Sequence, residues 1–287
     1  MFLEKIMYPY EIFLGLDLYS ILLCVGIFVC ILMYGWLADR LYLSAKLQKF
    51  CFVCALFAIP LGYGSAVLFQ AFYNFLDGDE FKLSLTTGAT FYGGLIGGAA
   101  VFLLIYFTAG HFMFSDGYHR RNFFGVANCA SASIAVAHAC GRVGCLMAGC
   151  CHGRVTDAWY GIYMHGGEGY TKYVPVQLFE ALFLFTLFAV FVILVLKKKS
   201  CNLPLYMIGY GAWRFFIEYA RADERGQTIV SFLSPSQLIA ILMILGGVGL
   251  FVFERYYEKK HAQAISCDAL EIAQKREVKH NQNGEEN

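Results

Sequence analysis

The sequence predicts an all-α polytopic membrane protein of about seven transmembrane helices, with its N-terminus outside and its C-terminus in the cytoplasm. Three observations carry that reading. Of 287 residues 59% are hydrophobic and only 15% charged, whereas soluble domains carry about a quarter charged residues. The apolar residues gather into stretches near the ~20 residues that span a bilayer. The basic residues alternate between two sets of connecting loops, as cytoplasmic and external loops do.

In order, the stretches run from Leu18 to Leu37, Phe50 to Phe72, Phe91 to Ala109, Phe123 to Cys140, Pro175 to Leu196, Leu203 to Tyr219 and Leu233 to Phe253. The fourth is rich in Ala, Ser and Cys, which suits close helix contact and predicts a central segment. The sixth carries charge. Residues 1–253 read as one transmembrane domain and residues 254–287 as a charged cytoplasmic tail, either a surface helix or disordered. Arg40, Lys46, Lys49, Arg120, Arg121, Lys197, Lys198, Lys199 and six basic tail residues fall on one side. Lys5, Lys82, Arg154, Lys172 and Arg225 fall on the other, and the denser set marks the cytoplasm. The first stretch lacks a signal-peptide pattern and is expected to stay in the membrane. The net charge of +1 gives no nucleic-acid footprint.

Polar groups are expensive inside a membrane, and they collect at the expected outer ends of the stretches. Gly141 to Arg154 reads GRVGCLMAGCCHGR. The third stretch opens Phe91-Tyr92-Gly93-Gly94, where glycines permit either close helix packing or the approach of a ligand. The fifth opens Pro175-Val176-Gln177. Along the sixth, Tyr210, Arg214, Glu218 and Arg221 recur at steps of four, four and three, which places them on one helical face. Arg142, Arg214 and Arg221 outnumber the one carboxylate in these motifs, Glu218, and a surplus of guanidinium suits a phosphate-bearing guest. An Arg214–Glu218 ion pair of purely structural value explains part of the same pattern. Eleven cysteines include Cys24, Cys30, Cys51, Cys54 and Cys129 within apolar runs, where they act as small hydrophobes. Cys140, Cys145, Cys150, Cys151 and His152 have a C-x4-C-x4-C-C-H spacing, unlike the paired C-x2-C of familiar zinc sites, so no metal is expected. Polar residues through the midplane or two repeated halves would mark a transporter, and neither is present.

The ordered strings YGGLIGG, GRVGCLMAGCCHGR, PVQLFEA, RFFIEYARAD and SPSQL, over about Tyr19 to Phe253, resemble the bacterial prolipoprotein diacylglyceryl transferase family. That resemblance implies a multi-pass enzyme of the bacterial inner (cell) membrane with its active site facing outside. It implies transfer of the diacylglyceryl group of phosphatidylglycerol to the lipobox cysteine of a preprolipoprotein, with glycerol phosphate released. The implied catalytic residues are Arg142, Arg214, Tyr92 and Tyr210; Gly93, Gly94, Gly144, Gly149, Gly153, Gln177, Glu218 and Arg221 are the implied substrate-binding set. The nucleophile comes from the substrate, so the resemblance implies no cofactor. The chain departs from the family pattern where His-Gly-Gly is common and it has Tyr92-Gly93-Gly94, and where Asn, Asn and Glu are common and it has Cys145, Ala148 and Cys150. These departures leave open an alternative, a lipid-binding paralogue that is non-catalytic or takes another substrate.

Overall fold

The computed structural model describes residues 11–13, 15–76, 78, 80–84, 88, 90–166, 169–199, 201–221 and 233–285, with backbone alone at 11–13, 91, 92, 165, 166, 169, 170, 279, 280 and 282–285. Lys5 and Arg225 lie outside the described residues, as does the side chain of Tyr92. A short hairpin, β1 (Glu11–Phe13) and β2 (Leu16–Asp17), precedes the first helix. Asp17 then starts α1 (Leu18–Arg40) as its N-cap, its carboxylate accepting from the Ser20 amide at 2.8 Å. The other helices are α2 (Ala45–Leu76), α3 (Phe91–Met113), α4 (Tyr118–Arg121), α5 (Phe123–Met147), α6 (Val176–Leu196), α7 (Asn202–Ile217) and α8 (Pro235–Glu285). Between α5 and α6 lies an antiparallel hairpin of β3 (Ile162–Gly166) and β4 (Gly169–Tyr173).

Among the described residues, six helices are long and apolar enough to cross a membrane: α1, α2, α3, α5, α6 and α8. They carry large apolar side chains outward, including Phe28, Leu56, Leu104 and Leu182. In water that surface would be a severe aggregation liability; in lipid it is the expected exterior. The protein is an all-α polytopic membrane protein. The predicted sixth stretch corresponds to α7, whose 16 residues rise about 24 Å, and a 3-10 turn at Glu218–Ala220 follows it. The fourth stretch, predicted to be a central segment, is the most buried of these spans, with 56% of the apolar window of α5 buried against 11 to 28% in the others.

The chain divides into two compact units. One comprises residues to Leu41 and Phe124–Ala262. In it Ala139, Leu184 and Tyr210 form a buried cluster of α5, α6 and α7, flanked by Phe183, Tyr206, Trp213 and Met243. The rings of Phe183 and Trp213 stack at 4.5 Å. Gly211 lets α7 approach α8, for a Cβ there would lie 3.0 Å from the Ala240 carbonyl oxygen.

The other unit comprises Tyr42–Phe123 and Gln263–Asn287. Within it α2 and α3 pack through Gly62, Gly94 and Gly98, where a Cβ on Gly62 would stand 3.0 Å from the Gly98 Cα. Tyr106 donates to the His119 carbonyl at 2.7 Å. The C-terminal part of α8 is ordered helix, and Asp268 pairs there with Arg121 at 3.1 Å and accepts from Asn122 at 3.1 Å.

Candidate functional site

The Gly141–Arg154 motif is shaped by the end of α5. The Cys150 amide donates to the Cys145 carbonyl at 3.1 Å and the Gly149 amide to that of Leu146 at 3.1 Å. This pair of bonds around a left-handed residue closes a helix, and Gly149 supplies it at φ 70°. Cys151 also has a positive φ, 62°, which is unusual without glycine. Beyond the turn, Gly153 forms an isolated bridge to Arg221, its amide donates to the Val174 carbonyl at 2.9 Å, and the Arg154 amide donates to that of Ala220 at 3.0 Å. A Cβ on Gly153 would fall 2.5 Å from the Ala220 oxygen. Gly144 faces α1, where a Cβ would meet the Tyr19 ring at 3.0 Å. Two of the signature glycines therefore act through close approach and one through backbone angle.

Arg142 sits one turn before that helix end, and its partner is a residue absent from the predicted site. Glu180, wholly buried on α6, holds Arg142 Nε at 3.1 Å. The same carboxylate oxygen accepts from the Tyr210 hydroxyl at 2.7 Å. His138, a turn before Arg142, lies 3.8 Å from that oxygen through Nε2, while its Nδ1 is 2.9 Å from the Tyr206 hydroxyl. The polar stripe on α7 thus begins at Tyr206, one turn earlier than predicted. Gln177, fully buried one turn before Glu180, donates from its amide to the Cys150 carbonyl and ties the α5 turn to the start of α6.

A turn along α7 from Tyr210, buried Arg214 pairs with Glu218 at 2.7 Å and donates to Ser236 at 3.0 Å. Ser234 donates to the second Glu218 oxygen at 3.0 Å. Ser234 and Gln237 cap α8 reciprocally: the Gln237 amide donates to the Ser234 hydroxyl at 3.2 Å, and the Ser234 amide to the Gln237 side-chain oxygen at 3.0 Å. This is a capping box with Pro235 at the first helical position. The SPSQL string thereby fixes the serine that holds Arg214. Arg221, buried after the 3-10 turn, completes the group.

The structure brings Arg142, Tyr210, Arg214, Glu218, Arg221, Gln177, Gly144, Gly149 and Gly153 into one unit. The predicted shortage of carboxylate is corrected among the described residues: Glu180 joins Glu218, the one holding Arg142 and the other Arg214. Glu180 and His138 were detectable as an i,i+3 partner of Gln177 and an i−4 partner of Arg142. Gly93 and Gly94 belong to the other unit, where both pack against α2; a Cβ on Gly93 would lie 2.7 Å from Phe69 Cβ, and one on Gly94 3.3 Å from Ala66 Cβ. Ser65 donates to the Gly93 carbonyl at 3.0 Å.

A family model for prolipoprotein diacylglyceryl transferase matches residues 9–253. Over 179 residues the chain is 33% identical to phosphatidylglycerol--prolipoprotein diacylglyceryl transferase 2 of Clostridium perfringens, covering 60% of this chain and 65% of that protein. Over 192 residues it is 30% identical to the transferase of Clostridium tetani, covering 64% and 71% respectively. Over 256 residues it is 28% identical to that of Dehalococcoides mccartyi strain 195, covering 84% and 90%. The aligned stretch thus spans about two thirds of the length of the first two relatives and nine tenths of the third.

Proposed function

We propose, for a chain that belongs to the prolipoprotein diacylglyceryl transferase family, that it transfers the diacylglyceryl group of phosphatidylglycerol to the lipobox cysteine of a preprolipoprotein. The observation that carries this reading is the gathering of Arg142, Arg214 and Arg221 in one unit, with Glu180 and Glu218 holding the first two at 3.1 and 2.7 Å. Guanidinium groups gathered in this way suit a phosphodiester head group, whose oxygens match their planar forks.

In the reaction the acceptor sulfur attacks the glyceryl carbon, the bond from that carbon to phosphate oxygen breaks, and glycerol phosphate leaves with greater negative charge than the diester carried. Arg142 and Arg214 stabilise the developing charge, with Arg221 in support. Guanidinium groups held in place before reaction do this without reorganising. Glu180 orients Arg142 and Tyr210, while Glu218 and Ser236 orient Arg214. Tyr210 hydrogen-bonds the head group, and the glycines at 144, 149 and 153 together with Gln177 shape its surroundings.

The basic loops support seven crossings of the bacterial inner membrane, an external N-terminus, a cytoplasmic C-terminus and an outward-facing site. In this reading residues 1–253 form the transferase domain and 254–287 its cytoplasmic tail. The alternative, a lipid-binding paralogue that is non-catalytic or takes another substrate, draws on Tyr92, Cys145, Ala148 and Cys150 standing where the family pattern commonly has other groups. Purified protein incubated with phosphatidylglycerol and a lipobox peptide separates the two. The transferase reading expects a diacylglyceryl thioether on the peptide cysteine by mass spectrometry; lipid retention without product favours the paralogue.

A further inference from the structure

The cysteine spacing gave no reason to expect a metal, yet the fold gathers three of these thiols. Cys145, on the last turn of α5, Cys150 and Cys151 place their sulfur atoms all within 4.8 Å of one another. None of the three is in a disulfide. Two features outside the thiols hold them together: the helix-closing bond from the Cys150 amide to the Cys145 carbonyl, and the Gln177 amide on the Cys150 carbonyl. The left-handed backbone at Cys151 turns the chain back after Cys150. Sulfurs bound to one zinc ion at about 2.3 Å in a tetrahedral arrangement stand ~3.8 Å apart, within the spread seen here. Three protein ligands also leave one position free, the pattern of a reactive rather than a structural zinc site. Cys145 and Cys151 are half-buried and Cys150 is exposed, so the cluster is reachable.

We propose that Cys145, Cys150 and Cys151 form a three-thiolate site for Zn2+ whose fourth position takes the acceptor thiol. The inference rests on the proposed transfer and supplies what that reaction needs, a thiol converted to thiolate. A thiol coordinating a zinc ion loses its proton. On coordination the acceptor thiol and the three protein thiols each release one proton to water. The acceptor sulfur then forms its bond to the glyceryl carbon, the carbon–oxygen bond to phosphate breaks, and glycerol phosphate departs beside Arg142, one helical turn from Cys145. The ion changes neither charge nor oxidation state, and the thioether product, a weaker ligand than a thiolate, is released. This departs from the expectation of a metal-free site.

The test uses the full-length protein purified under reducing conditions, loaded with ZnCl2, dialysed and assayed for zinc by elemental analysis. One zinc per chain is expected in the wild type, and a loss of tenfold or more in affinity for each of Cys145→Ser, Cys150→Ser and Cys151→Ser. Gel filtration and a thermal melt establish that each variant remains folded. With Co2+ in place of zinc, sulfur-to-metal charge-transfer absorption should appear and shift on adding a lipobox peptide, but not its Cys-to-Ser analogue. Wild-type protein that retains no zinc, or Ser variants that retain it equally, would overturn the site. A cobalt spectrum unmoved by the peptide would overturn its role toward the acceptor. Full transfer by metal-free wild type would sink the zinc proposal and leave the transferase reading standing. One bound zinc without any transfer from phosphatidylglycerol would instead count against the transferase reading.

Discussion

Helix α5 carries a buried polar network near each end, and the two are built on opposite logic. Near its start Asn128 donates to Glu254 at 2.7 Å and accepts from the Leu203 amide at 3.1 Å. Asn202 donates to the carbonyls of Asn128 and Phe191 at 3.1 and 3.2 Å. Amides and backbone groups stitch α5, α6, α7 and α8 together there, and no arginine enters these bonds. Some four turns and about 21 Å along the helix, Arg142 shares Glu180 with Tyr210, and Arg214 and Arg221 follow. The first network ties four helices together through amides, one carboxylate and backbone groups. The second gathers three arginines, two of them held by Glu180 and Glu218, and is the proposed site.

The largest test of that contrast falls on the arginines. Arg142→Ala and Arg214→Ala should each lower transfer on the order of a hundredfold, the scale for losing one preorganised charge stabiliser, while the protein still inserts and purifies. Lysine at either position should restore little, because it keeps the charge without the planar fork. Transfer assays of the four purified variants would show it.

A smaller effect is expected at Glu180. Glu180→Gln keeps an acceptor for Tyr210 but releases Arg142 from its ion pair. Loss of the positioned guanidinium should lower kcat by about tenfold with little change in the KM for lipid. An unchanged kcat would mean that Glu180 supports the fold alone.

Gly153→Ala probes the backbone bridge between the two motifs. The added methyl meets the Ala220 backbone, which cannot swing aside as a side chain can, and a destabilisation of about 1–3 kcal/mol is expected. Thermal melts would measure it, with a severalfold loss of transfer as Arg221 shifts.

The smallest effect on chemistry belongs to the structural end. Asn128→Ala leaves the Leu203 amide and Glu254 without their partner and should cost about 1–3 kcal/mol of stability. Transfer per folded molecule should stay within twofold of wild type. A large catalytic defect in a folded Asn128→Ala protein would erase the distinction between the two ends.

The membrane helices were legible because span length and apolar composition are one-dimensional properties, and the α7 stripe because helical periodicity is. The continuation of α5 to Met147, past the predicted end at Cys140, was hidden because Arg142 and the glycines of the motif interrupt the apolar run. Glu180 escaped because it lies within VQLFEALFLF, where one acid among apolar residues gives no periodic signal; only its spacing from Gln177 hinted at a shared face. The early end of α7 in a 3-10 turn was hidden for a similar reason, since Glu218 to Arg221 continue a helical pattern the backbone abandons. The thiol cluster depends on a left-handed Cys151, which no local preference favours.

The central claim is that the gathered arginines hold an anionic head group, and retention of lipid tests it most directly. Native mass spectrometry of wild type, the Arg142→Ala/Arg214→Ala double variant and Asn128→Ala, each offered equal phosphatidylglycerol and phosphatidylcholine, would compare the two ends of α5 in one experiment. The account predicts that wild type and Asn128→Ala retain phosphatidylglycerol preferentially and that the double variant loses the preference. Equal preference in all three would contradict it.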